Sequence, residues 1–271
     1  GGDSGEVSSQ LQGGVTEIFS TVGAFAALKE DGSVVTWGEE YNFGGDSRQV
    51  SSQLQGGVTE IFSTVGAFAA LKEDGSVVTW GNSRYGGDSG EVSSQLQGGV
   101  TEIFSNWGAF AALKEDGSVV TWGNSEYGGD SGKVSSQLQG GITEIFSTVG
   151  AFAALKEDGS VVTWGDSEDG GDSGKVSSQL QSGITEIFST DSAFAALKKD
   201  GSVVTWGNSE YGGDSGKVSS QLQSGITEIF STNWAFAALK KDGSVVTWGN
   251  SMRGGDSRKV SKQLRGGVIT L

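Results

Sequence analysis

The chain has 271 residues, 47 of them glycine, and contains no proline, cysteine or histidine. Without cysteine and histidine there are no disulfides, no thiolate chemistry, and neither the commonest general base nor the commonest transition-metal ligand. A formal charge of -15 opposes association with DNA, RNA or an anionic membrane surface, which a basic patch would have to neutralise.

No apolar run approaches the ~18 residues of a membrane span, and no secretory leader is read at Gly1-Gly2-Asp3. A soluble protein of unassigned compartment, favoured as a monomer, is expected. The apolar residues are gathered in short β-prone runs between glycines, so the expectation is a folded, turn-rich all-β chain.

In chain order, VSSQLQ at 7–12 reads as an outer strand or an extended loop. VTEIFS at 15–20, AFAALK at 24–29 and SVVTW at 33–37 read as three strands, A, B and C. Their apolar side chains fall at both parities, the pattern of strands covered on both faces. Asp31-Gly32 sits between B and C and predicts a hairpin with a type I′ turn.

The unit then repeats. Gly-Gly-Asp begins at 1, 44, 86, 128, 170, 212 and 254, and Thr-Trp-Gly recurs with Trp37, Trp80, Trp122, Trp164, Trp206 and Trp248. Six complete units are followed by a partial one, 254–271, ending in the strand-A stub Val268 to Leu271. This period with β character predicts a β-propeller, read as one domain over residues 1–271. Six blades are preferred over seven, with the chain ends overlapping at closure.

AFAALKEDGSVVTWG at 24–38 resembles the regulator-of-chromosome-condensation repeat. Ala27-Leu28, Asp31-Gly32 and Trp37-Gly38 carry the resemblance, with their equivalents in all six units. The short unit is similar to that of the β-lactamase-inhibitory propeller proteins. These resemblances imply a propeller and, for the second group, loops on one face that clasp an enzyme. Two features depart from the chromosome-condensation pattern: Ala24 and its equivalents stand where a histidine is common, and the units are shorter. The exchange-factor and chromatin roles of that family need loops and a basic surface that this sequence does not show.

Variation between units is concentrated at two places. The A–B turn reads TVG, TVG, NWG, TVG, TDS and TNW; the stretch after Trp-Gly reads EEYNF, NSRY, NSEY, DSED, NSEY and NSMR. Both belong to the same end of each blade, so the variable residues gather on one face. Every aromatic outside the repeated strands lies there: Tyr41, Phe43, Tyr85, Trp107, Tyr127, Tyr211 and Trp234, joined by Arg84, Met252 and Arg253. Trp107 and Trp234 are read as equivalents in the third and sixth units. Rigid aromatic loops suit protein recognition. Neutral drift on a recently amplified or designed scaffold, and a lectin-like glycan site, explain the same variation.

No catalytic set can be assembled from these residues, so a non-enzymatic chain without cofactor is expected. The acidic stretch Asp166, Glu168, Asp169 and Asp172 lacks the spacing of a calcium loop and reads as a solvated turn; no metal is expected.

Overall fold

The computed structural model describes residues 5–260. Its eighteen strands form six three-stranded antiparallel sheets, and the chain divides into two compact units, Gly1–Gly140 and Gly141–Leu271. The first unit holds β1 (Val15–Ser20), β2 (Ala24–Lys29), β3 (Val34–Gly38), β4 (Val58–Ser63), β5 (Ala67–Lys72), β6 (Val77–Gly81), β7 (Val100–Ser105), β8 (Ala109–Lys114) and β9 (Val119–Gly123). The second holds β10 (Ile142–Ser147), β11 (Ala151–Lys156), β12 (Val161–Gly165), β13 (Ile184–Ser189), β14 (Ala193–Lys198), β15 (Val203–Gly207), β16 (Ile226–Ser231), β17 (Ala235–Lys240) and β18 (Val245–Gly249). Each consecutive trio is one sheet, hence one blade, and six blades are what the repeat spacing predicts. The stub Val268 to Leu271 lies outside the described residues, and so does part of the expected overlap of the chain ends.

The stretch at 7–12 and its equivalents are neither outer strands nor extended loops. Residues 8–11 are a turn following the 3-10 segment Gly5–Val7, and the described equivalents begin in longer 3-10 segments, as at Arg48–Leu54 and Gly90–Leu96. The Asp46 carboxylate accepts the Arg48 backbone N–H at 2.9 Å, and Val50 N–H donates to the Ser47 carbonyl, so the chain coils tightly on leaving Gly-Gly-Asp. Val50 and Leu54, four residues apart, reach the core from one side of the coil; Leu54 is buried. The Lys72 ammonium donates to the Gln53 carbonyl at the far end of the segment.

The first strand of each blade also departs from the expectation. Pairing slips between Val58 and Glu60 against β5, a β-bulge that lets Val58 and Ile61, three apart, both face the core. Thr59 and Glu60 are exposed, while Ile61 enters the junction with blade 1 and Phe62 packs against that with blade 3, so only the second half of the strand is covered on both faces. The second strand fulfils the expectation of two covered faces, since Ala67, Phe68, Ala69 and Ala70 are all 0% exposed.

The B–C hairpin has a three-residue loop in place of the type I′ turn. Lys29 N–H donates to the Ser33 carbonyl and Gly32 N–H to the Lys29 carbonyl. Gly32 alone takes a positive φ, +73°, the geometry of a type I turn closed by a glycine bulge. Asp31 avoids positive φ because its carboxylate accepts both the backbone N–H and the hydroxyl of Ser33.

The core lies between blades. Ala24, Ala26 and Leu28 of blade 1 meet Leu54, Val58, Ile61, Phe68 and Trp80 of the next repeat. The corresponding residues form the junctions between blades 2 and 3, 4 and 5, and 5 and 6. Within each blade the Phe of the second strand stacks on the Trp of the third at 5.1–5.3 Å. The Trp80 indole donates to the Gly44 carbonyl at 3.1 Å, so its one polar atom is satisfied in the core.

Candidate recognition face

The turn between the first and second strands has three positions with separate tasks. The first holds Thr21, Thr64, Asn106, Thr148, Thr190 or Thr232. Thr64 Oγ1 accepts the Ala67 N–H at 3.1 Å and donates to the Tyr85 carbonyl at 2.9 Å, fastening the exit segment to the turn of its own blade. Asn106 does the same with two atoms: Oδ1 accepts from Ala109 N–H and Nδ2 donates to the Tyr127 carbonyl at 2.7 Å. Only a side chain that both accepts and donates can serve here. Sequence reasoning passed over this position; the signal was its restriction to Thr and Asn.

At the second position the backbone carries the contact. Val22 N–H donates to the Val65 carbonyl and Val65 N–H to the Trp107 carbonyl in the first unit. In the second unit, Val149 N–H donates to Asp191 and Asp191 N–H to Asn233. The side chain is exposed in Val22, Trp107 and Asn233 and half-buried in Val65, Val149 and Asp191, so Val, Trp, Asp and Asn are all accommodated. Trp107 is 54% exposed and meets the Tyr127 ring edge-on at 5.9 Å.

The third position is glycine in the first four units because the last residue of the exit segment lies over it. A Cβ on Gly108 would stand 2.6 Å from the Tyr127 ring, and one on Gly23 2.6 Å from Phe43. Phe43, Tyr85, Tyr127 and Tyr211 are therefore half-buried, and Phe43, Tyr85 and Tyr211 pack against the junction cores.

Trp234 occupies this third position. It is the equivalent of Gly108, one place later than Trp107, so the reading of the two tryptophans as equivalents is corrected. Their surroundings differ accordingly: Trp234 stacks face to face on Tyr211 of the preceding blade at 4.4 Å and 19°, and the Arg253 guanidinium lies over it, 5.6 Å from the ring centroid. Met252, beside Arg253, is 90% exposed. In the first unit Tyr41 and Arg84 are exposed, with Arg84 over the Tyr85 ring at 5.9 Å.

The acidic stretch of the fourth blade is occupied with its own backbone. Asp166 accepts the Glu168 N–H and Asp172 the Gly174 N–H. Asp169 stands where four other blades have an aromatic ring and the sixth has Arg253. Burial raises its pKa, against a hydrogen bond from Ser192 that lowers it, and Asp166, Glu168 and Asp191 raise it further. Among the described residues no group of three or more acidic side chains is placed to hold a metal ion. No helix among them is long and apolar enough to cross a membrane.

These ionisations give opposed contributions to stability. Burial raises the pKa of Glu60, with Glu102 and Glu17 adding to it, and that of Glu144, with Glu186 adding. With Asp169, these groups penalise folding as pH rises from their ordinary values, 3.8 for Asp and 4.5 for Glu, through the raised ones. The hairpin aspartates, such as Asp31 and Asp116, are held below 3.8 by the serine hydroxyl and then its N–H; the stability they contribute is lost as pH falls below 3.8. The thermal midpoint is expected to peak near about pH 4 to 5. Circular-dichroism melts from acid to neutral pH check this, and a midpoint that climbs steadily to neutrality contradicts it.

No protein-family profile matches the chain, and no curated protein sequence matches it. Solved structures do resemble it. Human WBSCR16 is 16% identical, with a TM-score of 0.50 over 88% of this chain and 77% of that one. Yeast RCC1 (Prp20), solved bound to Kap60, is 15% identical, with a TM-score of 0.49 over 96% and 73%. Prp20p of Saccharomyces cerevisiae, in a structure described with its binding to Gsp1p and histones, is 14% identical, with a TM-score of 0.48 over 89% and 73%. The chain has the RCC1-like propeller fold. Each of its described blades has three strands preceded by a 3-10 segment.

Proposed function

We propose that this RCC1-like chain is a non-enzymatic scaffold that recognises a protein through the turns joining its first and second strands and the segments leaving its third. The observation that carries the proposal is the Tyr211–Trp234–Arg253 stack. It replaces a glycine with the largest side chain and holds a broad, rigid surface beside the exposed Met252. Tyr, Trp and Arg are the side chains in which interface energy concentrates. Asp169, Asp191 and Glu210 lie close enough to raise the Tyr211 pKa, after burial, so the partner surface that fits is apolar at its centre and basic at its rim.

A glycan-binding reading has one observation of its own. In the first unit a cavity of about 660 Å³ lies along β9, lined by Asp88, Gln95, Asp130 and Gln139 among other polar groups, the hydrogen-bonding chemistry a sugar needs. Two assays separate the readings. Protein recognition is expected to give a blank glycan array and a protein retained on the immobilised chain but not on a chain carrying Trp107→Ala and Trp234→Ala. Sugar binding on the array that survives both substitutions would reject the protein reading.

A further inference from the structure

The cavity along β9 is built within the first unit, from residues between 83 and 139. β9 is the last strand of its sheet, and a propeller blade typically carries four strands. Beside β9, the 3-10 segments Gly90–Leu96 and Gly132–Leu138 both contribute residues to the cavity. Residues 119–123 all line it, so it follows the whole strand, about 16 Å at the usual rise per residue.

Its charge is of one sign. Asp88 and Glu91 come from one repeat and Asp130 from the next, and no lysine or arginine lines the cavity. All three acidic residues are exposed. Asp88 and Asp130 each accept a backbone N–H, from Gly90 and Gly132, at 2.8 Å. The equivalents of Glu91 differ along the chain: Glu6 and Gln49 precede it, and Lys133, Lys175 and Lys217 follow it. Lysine is therefore compatible with the fold at this position, and the acid at 91 sets the charge of this one cavity.

We propose that this cavity is a docking groove for an extended peptide segment rich in lysine or arginine, supplied by a partner protein. Charge complementarity selects a cation; a neutral sugar would leave three carboxylates without a counter-charge. The length suits about five extended residues. Gln95, also in the lining, both donates and accepts through its amide. That matches the carbonyl and N–H of a peptide, whereas a polyamine brings donors only. Val119 and Trp122 give the groove an apolar base, on which the methylene stem of a lysine can lie. The groove uses neither Trp107 nor Trp234, so its failure would leave the loop-face reading untouched.

Fluorescence anisotropy at physiological ionic strength tests this with a labelled hexapeptide of alternating lysine and valine and its glutamate–valine counterpart. The lysine peptide is expected to bind saturably and the glutamate peptide not to bind. Unlabelled lysine peptide is expected to displace the label, while spermine and a chitin oligosaccharide at the same concentration are not. Glu91→Lys introduces the side chain of the later repeats, so it is expected to match wild type by circular dichroism and to weaken binding about tenfold or more. Glu30→Lys makes the same charge change in the hairpin of blade 1, where Lys199 and Lys241 are the equivalents. It is expected to leave affinity within about twofold, because salt screens a remote charge. Absence of saturable binding by the lysine peptide overturns the proposal. So do equal losses in the two variants, or displacement by spermine or by the oligosaccharide, which would assign the cavity to a polyamine or a sugar.

Discussion

Phe110→Ala is expected to lower the stability of the folded chain by about 3–5 kcal/mol. The Phe110 ring is 0% exposed, stacks on Trp122 at 5.1 Å, and lies in the core between blades 2 and 3. Across that junction it faces Ala67 and Ala69, which have no length with which to fill the space left behind. The cavity would persist, and its cost adds to the lost burial. Urea denaturation followed by tryptophan fluorescence measures the loss. Val22→Ala, at a side chain 73% exposed, should stay within about 0.5 kcal/mol of wild type. A Phe110→Ala loss as small as the Val22 change would mean that the blade junction is not where the stability resides.

Trp234→Ala is expected to weaken binding of the proposed protein partner by about 2 kcal/mol, roughly thirtyfold. The folded chain should tolerate the change, because four of the six units carry glycine at this position. Trp107→Ala should act in the same direction, its ring being held by a single edge-on contact with Tyr127. Asp116→Ala provides the contrast. It lies in the hairpin at the other end of its blade, bonded only to Ser118, and should leave affinity unchanged. Calorimetric titration of each variant with the retained partner measures the difference. If both tryptophan variants unfold the chain and residual folded protein binds normally, the rings are packing elements and the recognition proposal fails.

The blade could be read in the sequence because its information is local and repeated. AFAALK and SVVTWG state their strands by composition, and Asp-Gly states a reversal between them. The details that were missed depend on partners distant in sequence or on backbone geometry. The 3-10 segment escapes because Val50 and Leu54 are two apolar residues in a polar stretch, which suits a strand edge equally well; the coil is decided by Asp46 capping the chain from outside. The bulge escapes because Val58 and Ile61 at opposite parities look like two covered faces until the slip in pairing puts them on one. The hairpin type depends on Asp31 engaging Ser33, which removes the need for a second positive φ.

That the two variable loops of a blade lie together was legible; how their side chains are arranged was not. Variation and aromatic content marked both loops, but the same letters hide different tasks. Tyr127 covers a glycine of its own blade, whereas Tyr211 carries a tryptophan of the next. That distinction rests on a one-residue difference between NWG and TNW, whose register the flanking IFS and AFAALK fix and the fastening of Asn106 and Thr232 matches.

The blade junction has a consequence for inheritance. Within each of the two compact units, a blade meets its neighbour through strand residues that scarcely change between repeats, while the residues that differ sit in turns outside the junction. A crossover that deletes, duplicates or reorders one unit therefore leaves every remaining junction with side chains it already accepts. The turns behave as cassettes when each travels with its own exit segment: TNW moved alone would set the Trp side chain against the Phe or Tyr that covers the glycine in other blades. Recombination within the gene can thus redraw the exposed face far faster than point substitution could, with folding conserved at each step.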